Sequence, residues 1–453
     1  MIRPSLEKIG LALAAGYVFL QPVMLQNPLK PVLSYGLGSM QIADVLFPFM
    51  LTWMVWWVIT EARSGELRRY ALEHRTLGIS VVSTAIAFYI SGAGTEYSPR
   101  LIDVAKYLYL LGLLVFFVLA LSSRAVVPVF RVLVYASIAY MCVSLAFYFA
   151  AYVYGYSSNF AQIREGFPYL GRVVRLNGPM LPTSKLFGMY LLMLALLLIL
   201  GRDLVDRWVW RLALALTVVC ALLTLGRVGV AAAASVVLGI ASFSEKRWRW
   251  LALLTIPVLV AAVAIQVLTI WHIDVNQVAW VCSADYHIEE QTQYFGWYRE
   301  PTMCKLSLDG GITYSSYFLM KLVAWKAWLS HPIFGIGAYQ YVEVWRAAVG
   351  TDIQEYYRNY LFTMAQSTYL TLLAETGLVG FVAWCSLILV FLRKIMKALS
   401  GNDSVRCAFL TWIACFVYAL VDLDVQNFRF LYTLLPLAAA IAWQVHRLPS
   451  TTR

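Results

Sequence analysis

The chain contains 453 residues, of which 61% are hydrophobic and 13% are charged. So little polar surface cannot solvate a compact globule of this length, and the composition therefore excludes a water-soluble protein. The formal net charge of +11 is compatible with either nucleic acid or anionic lipid as a partner. The positions of the basic residues decide between these two classes.

Apolar windows of the length that crosses a bilayer recur from the first residues to the last. We predict an all-α polytopic membrane protein with about 12 transmembrane helices in a single transmembrane domain, residues 1–453. No small-residue cleavage site follows the first window, which we interpret as a retained anchor. The spans 208–225 and 227–243 could also form one long, broken helix around Leu225 and Gly226. The full set of predicted spans is 9–25, 42–60, 77–94, 104–122, 131–153, 185–200, 208–225, 227–243, 250–271, 368–391, 407–421 and 430–446.

Lysine and arginine in the short loops collect on one side of this arrangement, together with Arg3 and Lys8 near the N-terminus and Arg447 and Arg453 near the C-terminus. The positive-inside rule assigns that side to the cytoplasm. We therefore predict a bacterial inner-membrane protein with both termini in the cytoplasm and no role in nucleic-acid binding. Two loops then face the periplasm, a smaller one at 154–184 and a large segment at 272–366.

The outer loops nevertheless carry many of the remaining basic residues, against the insertion bias, and such an excess requires a functional reason. In the large segment, Tyr314 to Ser330 is typical of an amphipathic helix, which ends before Pro332. Lys321, Trp325 and Trp328 fall on one stripe of it, so the helix could lie at the membrane interface with the ammonium group directed at an anion. The outer basic residues are Arg164, Arg172, Arg175, Lys185, Arg299, Lys305, Lys321, Lys326, Arg346 and Arg358.

Two arginine positions are the best candidates for an anion site. Arg227 stands at the start of an apolar run, where an arginine is usually paired or faces an aqueous cavity; the alternative is an interfacial arginine that reaches the headgroups. Arg175 lies in GRVVRLNGPMLPTSKLFG, with Arg172 one possible turn behind it. Guanidinium forks in a rigid loop suit phosphate oxygens, although an ordinary basic loop beside lipid headgroups would look the same.

The remaining candidates are weaker. Glu375 and Gln366 lie in AQSTYLTLLAETGLVG, where Glu375 could pair with a basic group and Gln366 can hydrogen-bond but cannot accept a proton at working pH. Cys282 and Cys304 share the large segment and could form a disulfide in an oxidising compartment. The histidines lack metal-ligand spacing, so we expect no metal and no cofactor. Asp422 and Asp424 more simply flank a helix end.

RLNGPMLPTSKLFGMYLL, LGRVGVAAAASVVLG, AWKAWLSHPIFGIGAYQY and STYLTLLAETGLVG occur in this order, and together they resemble the O-antigen ligase and Wzy-type polymerase superfamily. The resemblance implies a GT-C-like membrane fold and metal-independent, inverting transfer of a glycan from undecaprenyl pyrophosphate to a sugar hydroxyl in the periplasm. Arg227 matches a diphosphate-binding arginine of the family, and Lys321 stands where arginine is common. Gln366 replaces a histidine that is thought to activate or orient the acceptor.

We therefore expect Arg175, Arg227 and Lys321 to bind the donor diphosphate, with Arg172 assisting. Arg227, Lys321 and Gln366 are the catalytic candidates, and Trp325 and Glu375 are further substrate-binding candidates. The replaced histidine favours a repeat-unit polymerase over a ligase that joins glycan to a lipid A-core acceptor, and a chain-length regulator is a possible partner. A transporter or flippase for a lipid-linked glycan and a structural scaffold of a surface-polysaccharide machine are the alternatives from other classes.

Overall fold

A computed structural model describes residues 2–23, 42–95, 101–121, 126–155, 158, 160–167, 171–178, 184–243, 249, 278–281, 305–308, 313–314, 316–341, 343–345, 365, 367–422 and 429–447. Helices dominate these ranges. They are α1 Ile2–Leu20, α2 Phe47–Ser64, α3 Glu66–Glu73, α4 Arg75–Tyr89, α5 Leu101–Ala120, α6 Val126–Tyr154, α7 Ser184–Leu200, α8 Arg207–Leu223, α9 Arg227–Ala241, α10 Ser316–Ser330, α11 Thr368–Ala398, α12 Asp403–Asp422 and α13 Arg429–Arg447, with 3₁₀ turns at Ile42–Leu46 and Arg202–Leu204.

Each predicted span overlaps one of these helices, apart from 250–271, which lies outside the described residues. Four helical segments of the described chain are long and apolar enough to cross a bilayer: Ile42–Ser64, Val126–Tyr154, Thr368–Ala398 and Asp403–Val421. Five shorter apolar helices accompany them, at Arg75–Tyr89, Val104–Ala120, Ser184–Leu200, Arg227–Ala241 and Arg429–Val445. The chain is thus an integral membrane protein whose apolar helices lie where the sequence places them.

Helix α7 forms the centre of the bundle. Every residue from Ser184 to Leu200 except Lys185 is buried, as expected for a helix that is apolar on all sides. It packs against α8, α9, α12 and α13. The contact with α9 is close because glycines face each other: a Cβ atom built on Gly188 would lie 2.9 Å from the backbone nitrogen of Gly229. Small residues at such a crossing let two membrane helices approach closely.

The described chain is mostly helical, as predicted, but its outer segments also contain short strands. Strands β1 Ala161–Phe167 and β2 Gly171–Leu176 form an antiparallel hairpin within the smaller loop. Strands β3 Val278–Val281, β4 Lys305–Leu308 and β5 Thr313–Tyr314 form a second antiparallel sheet in the large segment. Tyr314, which was predicted to begin the amphipathic helix, therefore belongs to a strand. The hairpin packs against α6 through Val174 and Ala161, so a helix covers the apolar side chains of its strands.

Candidate functional site

A tight break joins α8 to α9. Thr224 ends α8, and its backbone nitrogen donates to the carbonyl oxygens of Cys220 and Ala221. Leu225 follows with a φ of +49°, and Gly226 is extended before α9 begins at Arg227. A positive φ is costly for a leucine, and such strain persists only where the surroundings hold it. The structure thus resolves the ambiguous stretch into two helices.

Arg175 reaches this break from strand β2. Its Nε donates a hydrogen bond of 2.7 Å to the carbonyl oxygen of Thr224. A Cβ atom built on Gly226 would lie 3.3 Å from its Nη2. The hydrogen bond satisfies one of the carbonyls that a helix C-terminus leaves without an intrahelical partner. It also fixes the guanidinium plane next to the start of α9.

Arg227 is the first residue of α9, and its side chain is exposed. The first backbone N–H groups of a helix and the positive end of its dipole favour anions. The α8–α9 break therefore combines two guanidinium groups, from Arg175 and Arg227, with a helix N-terminus. We name this combination the double-arginine turn.

Arg172 and Arg175 both lie on strand β2, so an extended strand rather than a helical turn connects them. The face of β2 that contains Val174 and Leu176 is buried, and Val174 packs against α6, whereas Arg175 leaves the opposite face towards α8.

Lys321 and Trp325 lie on α10, which packs against α11. Lys321 is only 7% exposed, and the four residues Met320, Leu322, Val323 and Ala324 around it are also buried. Residues 320–324 of α10 are thus enclosed by protein on all sides rather than exposed at a membrane surface. Trp325 is half-buried, and its ring centroid lies 4.7 Å from that of Trp328.

Helix α11 is broken at Gly377, and the loop after α10 is inserted into the break. Gly377 has a φ of +63°. The nitrogens of Ile336 and Gly337 donate to the carbonyls of Ala374 and Glu375 at 2.8 and 2.9 Å. Beyond the break, the nitrogens of Leu378 and Val379 donate to the carbonyls of Pro332 and Ile333 at 2.9 and 3.2 Å. We name this arrangement of 332–337 against 374–379 the Gly377 interlock.

Glu375 lies within the Gly377 interlock and is 1% exposed. The hydroxyl of Tyr107, on α5, donates to its Oε2 at 3.2 Å. The ring of Tyr107 lies 5.0 Å from that of Tyr339, and the ammonium group of Lys106 lies 4.4 Å from the Tyr339 ring centroid. The Glu375 carboxylate thus connects α11 to α5 beside the loop of the Gly377 interlock.

Some predicted site residues fall outside the described residues, namely Gln366, Cys282, Cys304 and Asp424, and for Arg172 only the backbone is described. Within the described ranges, no three His, Cys, Asp or Glu side chains lie close enough together to bind a metal ion.

Asn177 is a buried polar residue that was not among the predicted site residues. It is 1% exposed, and its Nδ2 meets no acceptor in the described part of the chain. Its backbone nitrogen donates to the carbonyl of Phe160 at 2.8 Å, which holds the residue two positions beyond Arg175. An asparagine before glycine is usually interpreted as a turn residue, so the sequence alone gives no signal for an amide donor here.

Residues 212–385 match a protein-family model described as O-antigen ligase (Wzy_C). The matched segment begins within α8 and ends within α11, so it includes Arg227, Lys321 and the Gly377 interlock. The predicted resemblance to the O-antigen ligase and Wzy-type superfamily is confirmed by this match. No curated protein matches the chain.

Proposed function

We propose that this chain, which carries an O-antigen ligase domain over residues 212–385, transfers a glycan from undecaprenyl pyrophosphate to a sugar hydroxyl at the periplasmic face of the bacterial inner membrane. The family supports glycan transfer of the ligase or polymerase type in general. The observation that carries the finer proposal is the double-arginine turn, where Arg175 is hydrogen-bonded to Thr224 directly before Arg227.

The reaction requires charge stabilisation more than acid catalysis. The acceptor hydroxyl oxygen attacks the anomeric carbon as the bond from that carbon to the diphosphate oxygen breaks, and the hydroxyl proton passes to water. Negative charge grows on the departing diphosphate. Preorganised cations that meet this charge lower the barrier by a few kcal/mol each. Arg175 and Arg227 are proposed for this role, with Arg172 assisting.

Lys321 and Trp325 are proposed to complete the donor site from α10. Lys321 lies within the matched segment 212–385, and its ammonium group can donate hydrogen bonds to phosphate oxygens. Glu375 is proposed to bind substrate indirectly, as a positioning residue that holds the Gly377 interlock. Gln366 is proposed to orient the acceptor, since its amide can hydrogen-bond a sugar hydroxyl but cannot take its proton.

Repeat-unit polymerisation is the proposed outcome, because the resemblance implies that Gln366 replaces a histidine that ligases are thought to use. Ligation to a lipid A-core acceptor and transport of a lipid-linked glycan are the competing outcomes. Incubating the purified chain with lipid-linked repeat units and separating the glycans on a gel distinguishes them. Polymerisation gives a ladder, ligation gives a single addition when a core acceptor is present, and transport gives no new glycan.

The double-arginine turn is tested in the same assay. Arg175→Gln and Arg227→Gln should each lower the transfer rate by roughly 10²- to 10³-fold, the loss typical of a removed transition-state donor. Arg406→Gln removes an equal charge from an exposed position in α12 and should leave the rate unchanged. Full activity of both variants, with expression equal to the parent chain, would overturn the diphosphate-site proposal.

A further inference from the structure

A second arginine-rich site lies at the other end of α8 from the double-arginine turn. A cleft of about 410 Å³ is formed by the 3₁₀ turn Arg202–Leu204 and the first residues of α8. Three arginines line it, Arg202, Arg207 and Arg211, and all are exposed. We name it the arginine cleft. The distribution of basic residues assigns this end of the bundle to the cytoplasm.

Carboxylates offset only part of the positive charge of the arginine cleft. Asp203 and Asp206 also line it, so the arginines exceed the carboxylates. In the described part of the chain, Arg207 and Arg211 form no ion pair with either aspartate. Three guanidinium groups around one open cleft therefore leave several N–H donors for an external anion.

Two aromatic rings, rather than a carboxylate, hold the guanidinium group of Arg202 in place. Its guanidinium carbon lies 5.6 Å from the ring centroid of Trp210 and 5.3 Å from that of Phe243. Trp210 is fixed in turn, because its Nε1 donates to the carbonyl oxygen of Leu198 at 2.9 Å. Cation–π contacts orient the guanidinium group while leaving its N–H edge available. The cleft is thus partly preorganised.

Beside the cleft, α8 has an apolar face that no described residue covers. Trp208 is 80% exposed, and Leu212, Val219 and Leu222 continue from it on the same side of the helix. The guanidinium carbon of Arg211 lies 5.8 Å from the Trp208 ring centroid. Tryptophan at the end of an apolar helical stripe is typical of the headgroup level of a bilayer. A ligand that fits this surface has an acidic head and apolar chains.

We propose that the arginine cleft binds the phosphate headgroup of an anionic phospholipid, whose acyl chains lie along the exposed stripe of α8. Basic pockets between membrane helices on the cytoplasmic side recognise such headgroups. The stripe distinguishes a lipid from a free phosphate, because a soluble anion gains nothing from Trp208 and Leu212. This site is independent of the proposed glycan transfer, and neither stands or falls with the other.

The test is thermal unfolding of the purified full chain in detergent, titrated with dioctanoyl-phosphatidylglycerol. We expect a saturable rise in the midpoint that dioctanoyl-phosphatidylcholine and glycerol 3-phosphate do not produce. The triple change Arg202→Gln, Arg207→Gln and Arg211→Gln should weaken the apparent affinity roughly 100-fold. The matched control, Arg63→Gln, Arg68→Gln and Arg406→Gln, removes the same charge at other exposed positions and should keep the parent affinity.

A gain of affinity provides a test that does not depend on the stability of the triple variant. Asp203→Asn and Asp206→Asn remove the two carboxylates from the cleft and should tighten binding of phosphatidylglycerol several-fold. Equal responses to phosphatidylglycerol and phosphatidylcholine, an equal response to glycerol 3-phosphate, or an equal loss in the control triple would each overturn the proposal. So would aspartate variants that leave the affinity unchanged.

Discussion

Arg175 has two tasks at the double-arginine turn, because its Nε is committed to Thr224 while its terminal nitrogens lie beside Gly226. A lysine provides charge, but its N–H donors share one nitrogen and cannot reach both places at once. We therefore expect Arg175→Lys to be nearly as inactive as Arg175→Gln in glycan transfer, whereas Arg227→Lys should retain part of the rate. The measurement is the initial rate of product formation in the gel assay. Equal retention of activity by both lysine variants would show that charge alone suffices at position 175.

A second polar cluster stabilises the bundle. Nη2 of Arg429 lies 2.8 Å from Oδ2 of Asp44, and both side chains are largely buried. The hydroxyl of Tyr109 donates to Oδ1 of Asp44 and lies 3.2 Å from the hydroxyl of Tyr17. Four segments of the chain thus meet at one carboxylate, in α1, α5, α13 and the 3₁₀ turn Ile42–Leu46.

Changing one partner of this ion pair should lower the free energy of unfolding more than changing both partners. Asp44→Asn removes the carboxylate that Arg429 contacts at 2.8 Å while the Arg429 charge stays largely buried, and it should cost about 3–5 kcal/mol. Adding Arg429→Gln to Asp44→Asn should recover part of that loss, because the buried charge is then removed as well. Denaturant unfolding of the purified chain, with Arg406→Gln as the exposed control, measures both. Additive losses in the double variant would contradict this account.

At the scale of elements, the helices could be predicted and their junctions could not. A membrane helix needs only a local apolar stretch, and Leu186 to Leu200 supplies one regardless of the rest of the chain. The break at Gly377 depends instead on backbone groups of Pro332 and Ile333, which the chain brings back from more than forty residues away. The β1–β2 hairpin similarly depends on α6 to cover Val174. A sequence pattern contains no record of such distant partners.

The Gly377 interlock yields a prediction of its own. A Cβ atom on Gly335 would lie 2.5 Å from the carbonyl carbon of Glu375, and one on Gly377 would lie 2.6 Å from the nitrogen of Gly335. Both residues also have positive φ values, so alanine is disfavoured twice. We expect Gly335→Ala and Gly377→Ala to detach the loop, which hydrogen exchange of residues 332–337 would report as lost protection.

Gly78→Ala is the matched control for the two glycine variants. Gly78 lies within α4, and no atom would come within 4 Å of its added Cβ. Since alanine is the better helix former, this variant should be neutral or slightly stabilising. If exchange in residues 332–337 rose equally in all three variants, the interlock would not be the cause.

For the whole molecule, the two arginine sites lie at opposite ends of α8, and the proposed chemistry therefore depends on the orientation of the bundle. Tyr154, 82% exposed at the end of α6, is at the end assigned to the periplasm. Gly401, after α11, lies at the opposite end, and an added side chain there meets no atom within 4 Å. These two positions are therefore predicted to lie on opposite sides of the membrane, and neither belongs to a proposed site.

Labelling with a membrane-impermeant maleimide tests the orientation directly. Tyr154→Cys should react in cells whose outer membrane alone is permeabilised, whereas Gly401→Cys should react only after the inner membrane is opened. The parent chain, whose Cys142 is exposed on α6, supplies the background that is subtracted from both. The reverse pattern would invert the bundle. It would then place the double-arginine turn in the cytoplasm, where a periplasmic lipid-linked donor could not reach it.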